Sequence, residues 1–90
     1  MSKQNKPEKI TVVALVENEP GVLNRISSLF RRRGFNIDSL TVGRTHKPHV
    51  SRMTIRVDAG PEYAKRIATN LQKLVNVIDV KILDDEPHVV

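Results

Sequence analysis

The chain has 90 residues, with 15 lysines and arginines against 10 acidic residues, and it contains no cysteine. Disulfides, thiolate nucleophiles and thiolate metal sites are therefore excluded. No apolar run approaches the roughly 20 residues that a transmembrane helix needs, and nothing resembles a signal peptide, so we expect a cytoplasmic protein. A chain of this length forms one domain with a modest core, which an oligomer would complement.

The first structured segment is an apolar run that ends in a polar turn. Residues 1–8 are polar and lysine-rich and are expected to form a disordered lead-in. The β-branched run over about 9–16 predicts a buried strand. We expect Asn18 to cap the next helix, with Pro20 at its first position and Gly21 in its first turn. The free N–H groups of such a helix start suit a carboxylate or phosphate, although a capped helix alone also explains these residues.

The helix that follows is predicted over about 20–33. Its apolar face contains Val22, Leu23, Ile26, Leu29 and Phe30. Three consecutive arginines, Arg31 to Arg33, suit the negative end of a helix, and Gly34 suits the position just past that end.

The second half of the chain predicts two strands, a helix and a last strand, over about 36–42, 51–57, 61–73 and 76–83. In the strand over 51–57, apolar Met53, Ile55 and Val57 alternate with polar residues, which is typical of a sheet with one packed face. In the last strand the alternation slips between Val77 and Ile78, which indicates a strand start or a bulge.

This order is β-α-β-β-α-β, which predicts an α+β, ferredoxin-like fold with two helices on one face of a four-stranded antiparallel sheet. We expect the domain to span 9–84, followed by a C-terminal tail over 85–90.

Enzyme chemistry is not evident in the sequence. No serine lies in a motif that would activate a nucleophile, and the loop residues His46 and His49 have no acidic residue in the same loop to complete a metal site. We therefore predict no catalytic and no metal-binding residues.

A basic nucleic-acid-binding module is the alternative function. Arg44, Lys47, Arg52 and Arg56 lie in a stretch without acids, which indicates a binding face for an anion or a solvated basic surface. RNA-recognition modules of this topology stack bases on aromatic residues of their central strands. The strand over 51–57 contains no aromatic residue, which argues against RNA binding.

Four stretches of the chain resemble a known family. Residues 18–23 read Asn-Glu-Pro-Gly-Val-Leu, residues 33–43 read Arg-Gly-Phe-Asn-Ile-Asp-Ser-Leu-Thr-Val-Gly, and residues 51–55 read Ser-Arg-Met-Thr-Ile. With 71–80, they look like the amino-terminal ACT domain of the acetohydroxyacid synthase (acetolactate synthase) small subunit. The first stretch alone indicates only an ACT domain, whereas the second and third are more specific.

The resemblance implies a regulatory subunit that is not an enzyme by itself. Members of the family bind the catalytic large subunit of acetolactate synthase, raise its activity and make it sensitive to feedback inhibition, usually by valine, in branched-chain amino acid biosynthesis. The resemblance implies thiamine diphosphate, magnesium and FAD for that partner and no cofactor in this chain. The family's small subunits usually continue into a second α/β domain, which these 90 residues do not include.

The resemblance also implies a homodimer that holds the amino-acid effector between its two copies. By the family pattern, the effector meets the loop after strand one of one copy and the residues that open strand two of the other. The expected effector-binding residues are Asn18, Glu19, Pro20, Gly21, Val22, Leu23, Asn36 and Ile37.

The chemistry of these residues agrees with an amino-acid ligand. Backbone N–H groups near Gly21 and Val22 can hold its carboxylate, and the amide oxygens of Asn18 or Asn36 can accept hydrogen bonds from its ammonium. Apolar side chains such as Ile37 can contact an isopropyl group, which contributes roughly 1.5–3 kcal/mol when fully buried.

Overall fold

Six elements follow one another in the predicted order. The computed structural model describes residues 10–58 and 60–84. The elements are β1 (Ile10–Glu17), α1 (Val22–Arg33), β2 (Ser39–Arg44), β3 (Val50–Val57), α2 (Pro61–Gln72) and β4 (Val77–Asp84). The expected lead-in over 1–8 and the expected tail over 85–90 lie outside the described residues. None of the described helices is long and apolar enough to cross a membrane.

The four strands form one antiparallel sheet in the order β2-β3-β1-β4. Alternate residues of β1 and β3 face the two helices, so that Val12 lies opposite Ile55 and Ala14 opposite Met53, and all four are fully buried. The helices contribute one stripe each, with Ile67 at the centre of the α2 stripe. The predicted ferredoxin-like fold is confirmed.

The slip in the alternation of the last strand is a bulge. Leu15 of β1 pairs with Asp79 and the next residue, Val16, pairs with Val77, so Ile78 has no partner in the register. Its side chain is 53% exposed. The extra residue returns Val77 to the helix side of the sheet, where it packs against the core.

The start of α1 differs from the prediction. The N-cap residue is Gly21 rather than Asn18, so no side chain caps the start of the helix. Its φ of 85° and ψ of −10° are those of the third residue of a type II turn, and the Val22 N–H closes that turn on the Glu19 carbonyl at 3.2 Å. The predictions that Asn18 caps the helix, that Pro20 is the first helical residue and that Gly21 lies in the first turn are therefore wrong.

The end of α1 agrees with the prediction. Gly34 has a positive φ of 69°, its N–H donates to the Arg31 carbonyl, and the Phe35 N–H donates to the Phe30 carbonyl. This is a Schellman motif, which accounts for the glycine. Of the predicted apolar face, only Leu23 is not buried: it is 45% exposed at the β2 side of the helix.

Strand β2 lies later in the chain than predicted, over Ser39–Arg44 rather than about 36–42, and it is exposed along its whole length. It begins at Ser39 rather than at Asn36, because the Asn36 N–H donates to the Tyr63 hydroxyl instead of to a neighbouring strand. Every residue of β2 is exposed, including Leu40 and Val42 at 37% and 43%. Their register partners in β3 are buried under the helices, so the helices leave the β2 edge uncovered.

Candidate functional site

A shallow cleft of about 250 Å³ lies where β1 leads into α1. It is lined by the predicted segment Asn18 to Leu23, together with Asn24 and with Val42 and Ser51 from the neighbouring strands. Sites that enclose a small molecule usually measure roughly 300–1,000 Å³. The cleft therefore has the size of a partial site that another surface completes.

The cleft contains the positive end of the α1 dipole. The first turn of α1 holds no acidic residue, and the first bond of the helical repeat runs from Arg25 N–H to the Gly21 carbonyl. Within the described part of the chain, the N–H groups of Gly21, Leu23 and Asn24 have no acceptor. These three groups can bind an anion, whereas the Val22 N–H, which we predicted as a donor, already bonds to Glu19.

The loop of the cleft is held from the β2–β3 side. The Asn18 N–H donates to the His49 carbonyl at 2.7 Å. The hairpin that carries His49 is itself closed by Thr45, whose hydroxyl donates to the Val50 carbonyl at 2.8 Å. These hydrogen bonds fix the path of the loop between β1 and α1, although no side chain of that loop caps the helix.

The α2–β4 turn holds the same loop from the other side through Asn76. The Asn76 carbonyl accepts from the Glu17 N–H at 2.9 Å, and its side-chain amide donates to the Glu17 carboxylate at 3.0 Å. Its amide oxygen accepts from the Arg25 guanidinium at 2.6 Å. Asn76 therefore joins the end of β1 to the first turn of α1.

We expect Asn76→Ala to lower the free energy of unfolding by about 1–2 kcal/mol, because two side-chain hydrogen bonds, one of them to a charged donor, are lost. Asn70→Ala is the matched control: the Asn70 side chain bonds only to the Arg66 carbonyl in its own helix, so its loss should cost less. Urea denaturation of both variants measures the difference. Equal costs would contradict the linking role of Asn76.

Asn36 and Ile37 do not reach this cleft within one chain. They line a second cleft, of about 500 Å³, together with Asp38, Asp58 and Tyr63. The first cleft lies beside the end of β2 and the second beside its start, and the six residues of β2 span about 20 Å. The structure thus brings six of the eight predicted effector residues together and places the other two at the opposite end of the sheet.

Sequence reasoning missed the contributions of Val42, Ser51 and Asn76. Val42 and Ser51 reach the cleft only because β2 and β3 pair beside β1. No local pattern marks Asn76, whose partners Glu17 and Arg25 lie 59 and 51 residues away. Among the described residues, no group of three or more histidine or acidic side chains could hold a metal ion.

This chain is similar to known proteins both in sequence and in fold. The family model "AHAS small subunit-like ACT domain" matches residues 13–79. The chain is 51% identical over 72 residues to a probable acetolactate synthase small subunit of Archaeoglobus fulgidus, covering 80% of this chain and 45% of that protein. It is 53% identical over 76 residues to the acetolactate synthase small subunit of Mycolicibacterium smegmatis, covering 84% and 44%.

A solved structure agrees with the sequence relatives. The crystal structure of the acetolactate synthase small subunit from Thermotoga maritima superposes with a TM-score of 0.82 at 40% identity, covering 88% of this chain and 49% of that one. The chain thus spans about half the length of these relatives. The match to the family model, the sequence identities and the superposition together show that this chain belongs to the family of acetohydroxyacid synthase small subunit ACT domains.

Proposed function

We propose that this domain binds a branched-chain amino acid, with valine as the expected effector, between two copies of itself and thereby regulates the catalytic large subunit of acetolactate synthase. The observation that carries the proposal is the N-terminus of α1, with three free N–H groups, opening into a cleft of partial size. The relatives' description as small subunits supports a catalytic partner.

The effector carboxylate binds at the start of α1. The free N–H groups of Leu23 and Asn24 belong to the first turn of α1, at its positive end, and the free Gly21 N–H belongs to the turn that precedes it. The amide oxygen of Asn18 accepts from the ammonium. The apolar side chains of Leu23 and Val42, both exposed in the single chain, contact the effector side chain.

A second copy supplies Asn36 and Ile37. If two β2 strands pair antiparallel about a two-fold axis, the start of one strand lies beside the end of the other. That arrangement moves the residues before β2 of one copy next to the cleft of its partner. The exposed Leu40 and Val42 of the β2 edge become buried in the same step. The two groups of expected effector residues lie at the two ends of β2, which favours β2 over β4 as the pairing edge.

A thermal melt across a panel of amino acids tests this function. At a hundred times its dissociation constant, a ligand adds about 2.7 kcal/mol to the free energy of unfolding. We expect valine, and to a lesser degree leucine and isoleucine, to raise the melting temperature. D-Valine is the matched control, since it has the same charges and side chain in a different arrangement. Stabilisation by total RNA and by none of the amino acids would instead support the nucleic-acid-binding alternative.

We expect the purified chain to have no synthase activity. With pyruvate, thiamine diphosphate, magnesium and FAD, acetolactate formation should stay at the level of a protein-free blank, because the sequence contains no motif that would activate a nucleophile. Adding the catalytic subunit is the positive control. Turnover by the chain alone, at high purity, would contradict a purely regulatory role.

A further inference from the structure

The face of the sheet opposite the helices forms a second surface, which we call the open face. In the strand register, Val13 of β1 lies between Thr54 of β3 and Lys81 of β4, and Leu15 lies between Arg52 and Asp79. No helix or strand of the described chain packs over these side chains. The open face is therefore a flat surface of four strands that neither cleft uses.

The open face has an apolar centre and a basic border. Val13 and Leu15 on the central strand are only half-buried. Around them lie Arg52 and Lys81, both exposed, and Asp79 is the one acid in these rows. An apolar centre with charged groups at its edge is the usual composition of a protein–protein interface.

The size of the open face indicates that one copy does not suffice. Four strands about 4.8 Å apart and six to eight residues long give roughly 500 Å² of flat area, whereas a stable interface takes about 800 Å² from each partner. Two copies paired through β2 present one continuous sheet and double the area. Docking through this face is thus compatible with the proposed dimer and leaves both clefts accessible to the effector.

We propose that the open face is the surface through which this domain docks on the catalytic subunit, and that the docking site there is an apolar protein surface bordered by acidic side chains. This inference rests on the proposed function, which supplies the partner. Arg52 and Lys81 outnumber Asp79 in these rows of the open face. A partner surface that complements this charge therefore carries acidic side chains.

A protein fits the open face better than a nucleic acid does. Proteins that bind single-stranded RNA on an open sheet use aromatic residues as stacking platforms. In the two register rows that contain Val13 and Leu15, continued into β2, the described residues are aliphatic, threonine, glycine or charged. Half-buried valine and leucine at the centre of the face instead suit contact with apolar side chains.

The test compares two charge reversals of equal size. Arg52→Glu/Lys81→Glu reverses the open face, and Arg66→Glu/Lys65→Glu reverses exposed residues of α2 on the opposite side. Affinity for the acetolactate synthase catalytic subunit of the same organism is measured by isothermal titration calorimetry. We expect the open-face variant to bind at least about tenfold more weakly, a difference of about 1.4 kcal/mol, and the α2 variant to bind within about twofold of the parent.

Two further measurements make each outcome decisive. Valine-induced stabilisation and the mass in solution should match the parent in both variants, which shows that the open-face variant is folded and paired. If the parent binds the catalytic subunit and the open-face variant binds it equally well, this inference is overturned while the proposed function stands. If the parent does not bind the catalytic subunit at all, the proposed function itself fails. Loss of total-RNA binding in the open-face variant, without any effect on the catalytic subunit, would assign the face to a nucleic acid and also overturn the inference.

Discussion

Gly21→Asp is expected to abolish valine binding. The new carboxylate would lie at the mouth of the cleft, beside the N–H groups that we assign to the ligand carboxylate. Two like charges about 4 Å apart repel by about 4 kcal/mol at the effective dielectric constant of a protein surface. With the loss of a charge-assisted hydrogen bond, we expect at least about a hundredfold weaker binding by calorimetry.

The positive φ of Gly21 requires a control for strain. A Cβ at Gly21 would meet no atom within 4 Å, so the space is open, but an L-residue at φ 85° is strained by about 1–2 kcal/mol. Gly21→Ala carries this strain without the charge and should lower stability while retaining most of the affinity. Asn24→Asp carries the charge on an ordinary helical residue of the same cleft. If Gly21→Ala loses binding as completely as Gly21→Asp, the glycine serves the turn and not the ligand.

Leu40→Lys/Val42→Lys is expected to convert a dimer into a monomer. The parent should show twice the chain mass of 10.2 kDa at tens of micromolar, and the variant should show the single mass. Both side chains are already partly exposed in one copy, so the fold of the monomer should lose only part of the roughly 1.5–3 kcal/mol that full burial of each side chain would contribute. In the proposed dimer four lysines would be buried together, which we expect to weaken association by at least about a hundredfold.

The opposite edge of the sheet provides the matched control. Ile78 and Ile82 of β4 are 53% and 37% exposed, close to the values for the β2 pair. Ile78→Lys/Ile82→Lys should remain dimeric by light scattering and should keep its stabilisation by valine. If this variant dissociates and the β2 variant does not, β4 is the pairing edge, and the effector cannot lie between Asn36 and the cleft as proposed.

Much of the fold follows from short-range patterns. The alternation around Ile55 predicts the packed face of β3. The slip at Ile78 predicts a strand start or a bulge, and the register contains the bulge. The glycine after three arginines predicts the Schellman end of α1 at Gly34. These features are readable because each depends on residues a few positions apart, through side-chain periodicity or local backbone conformation. The segment over 33–43 carries the family resemblance in the same direct way.

Other features depend on residues that only the folded chain brings together. Pro20 suits a helix start and a type II turn equally, because its φ near −65° serves both. The loop before Pro20 is held by the hydrogen bond from Asn18 to the β2–β3 hairpin and by those between Asn76 and Glu17. With the loop held in this way, Pro20 lies in a type II turn and not in the helix. The tertiary structure also decided that Asn36 lies at the far end of the sheet from the cleft. Side-chain periodicity tells which face of an element is buried, whereas the distance between two elements depends on strand order and register, which no local segment of the sequence specifies.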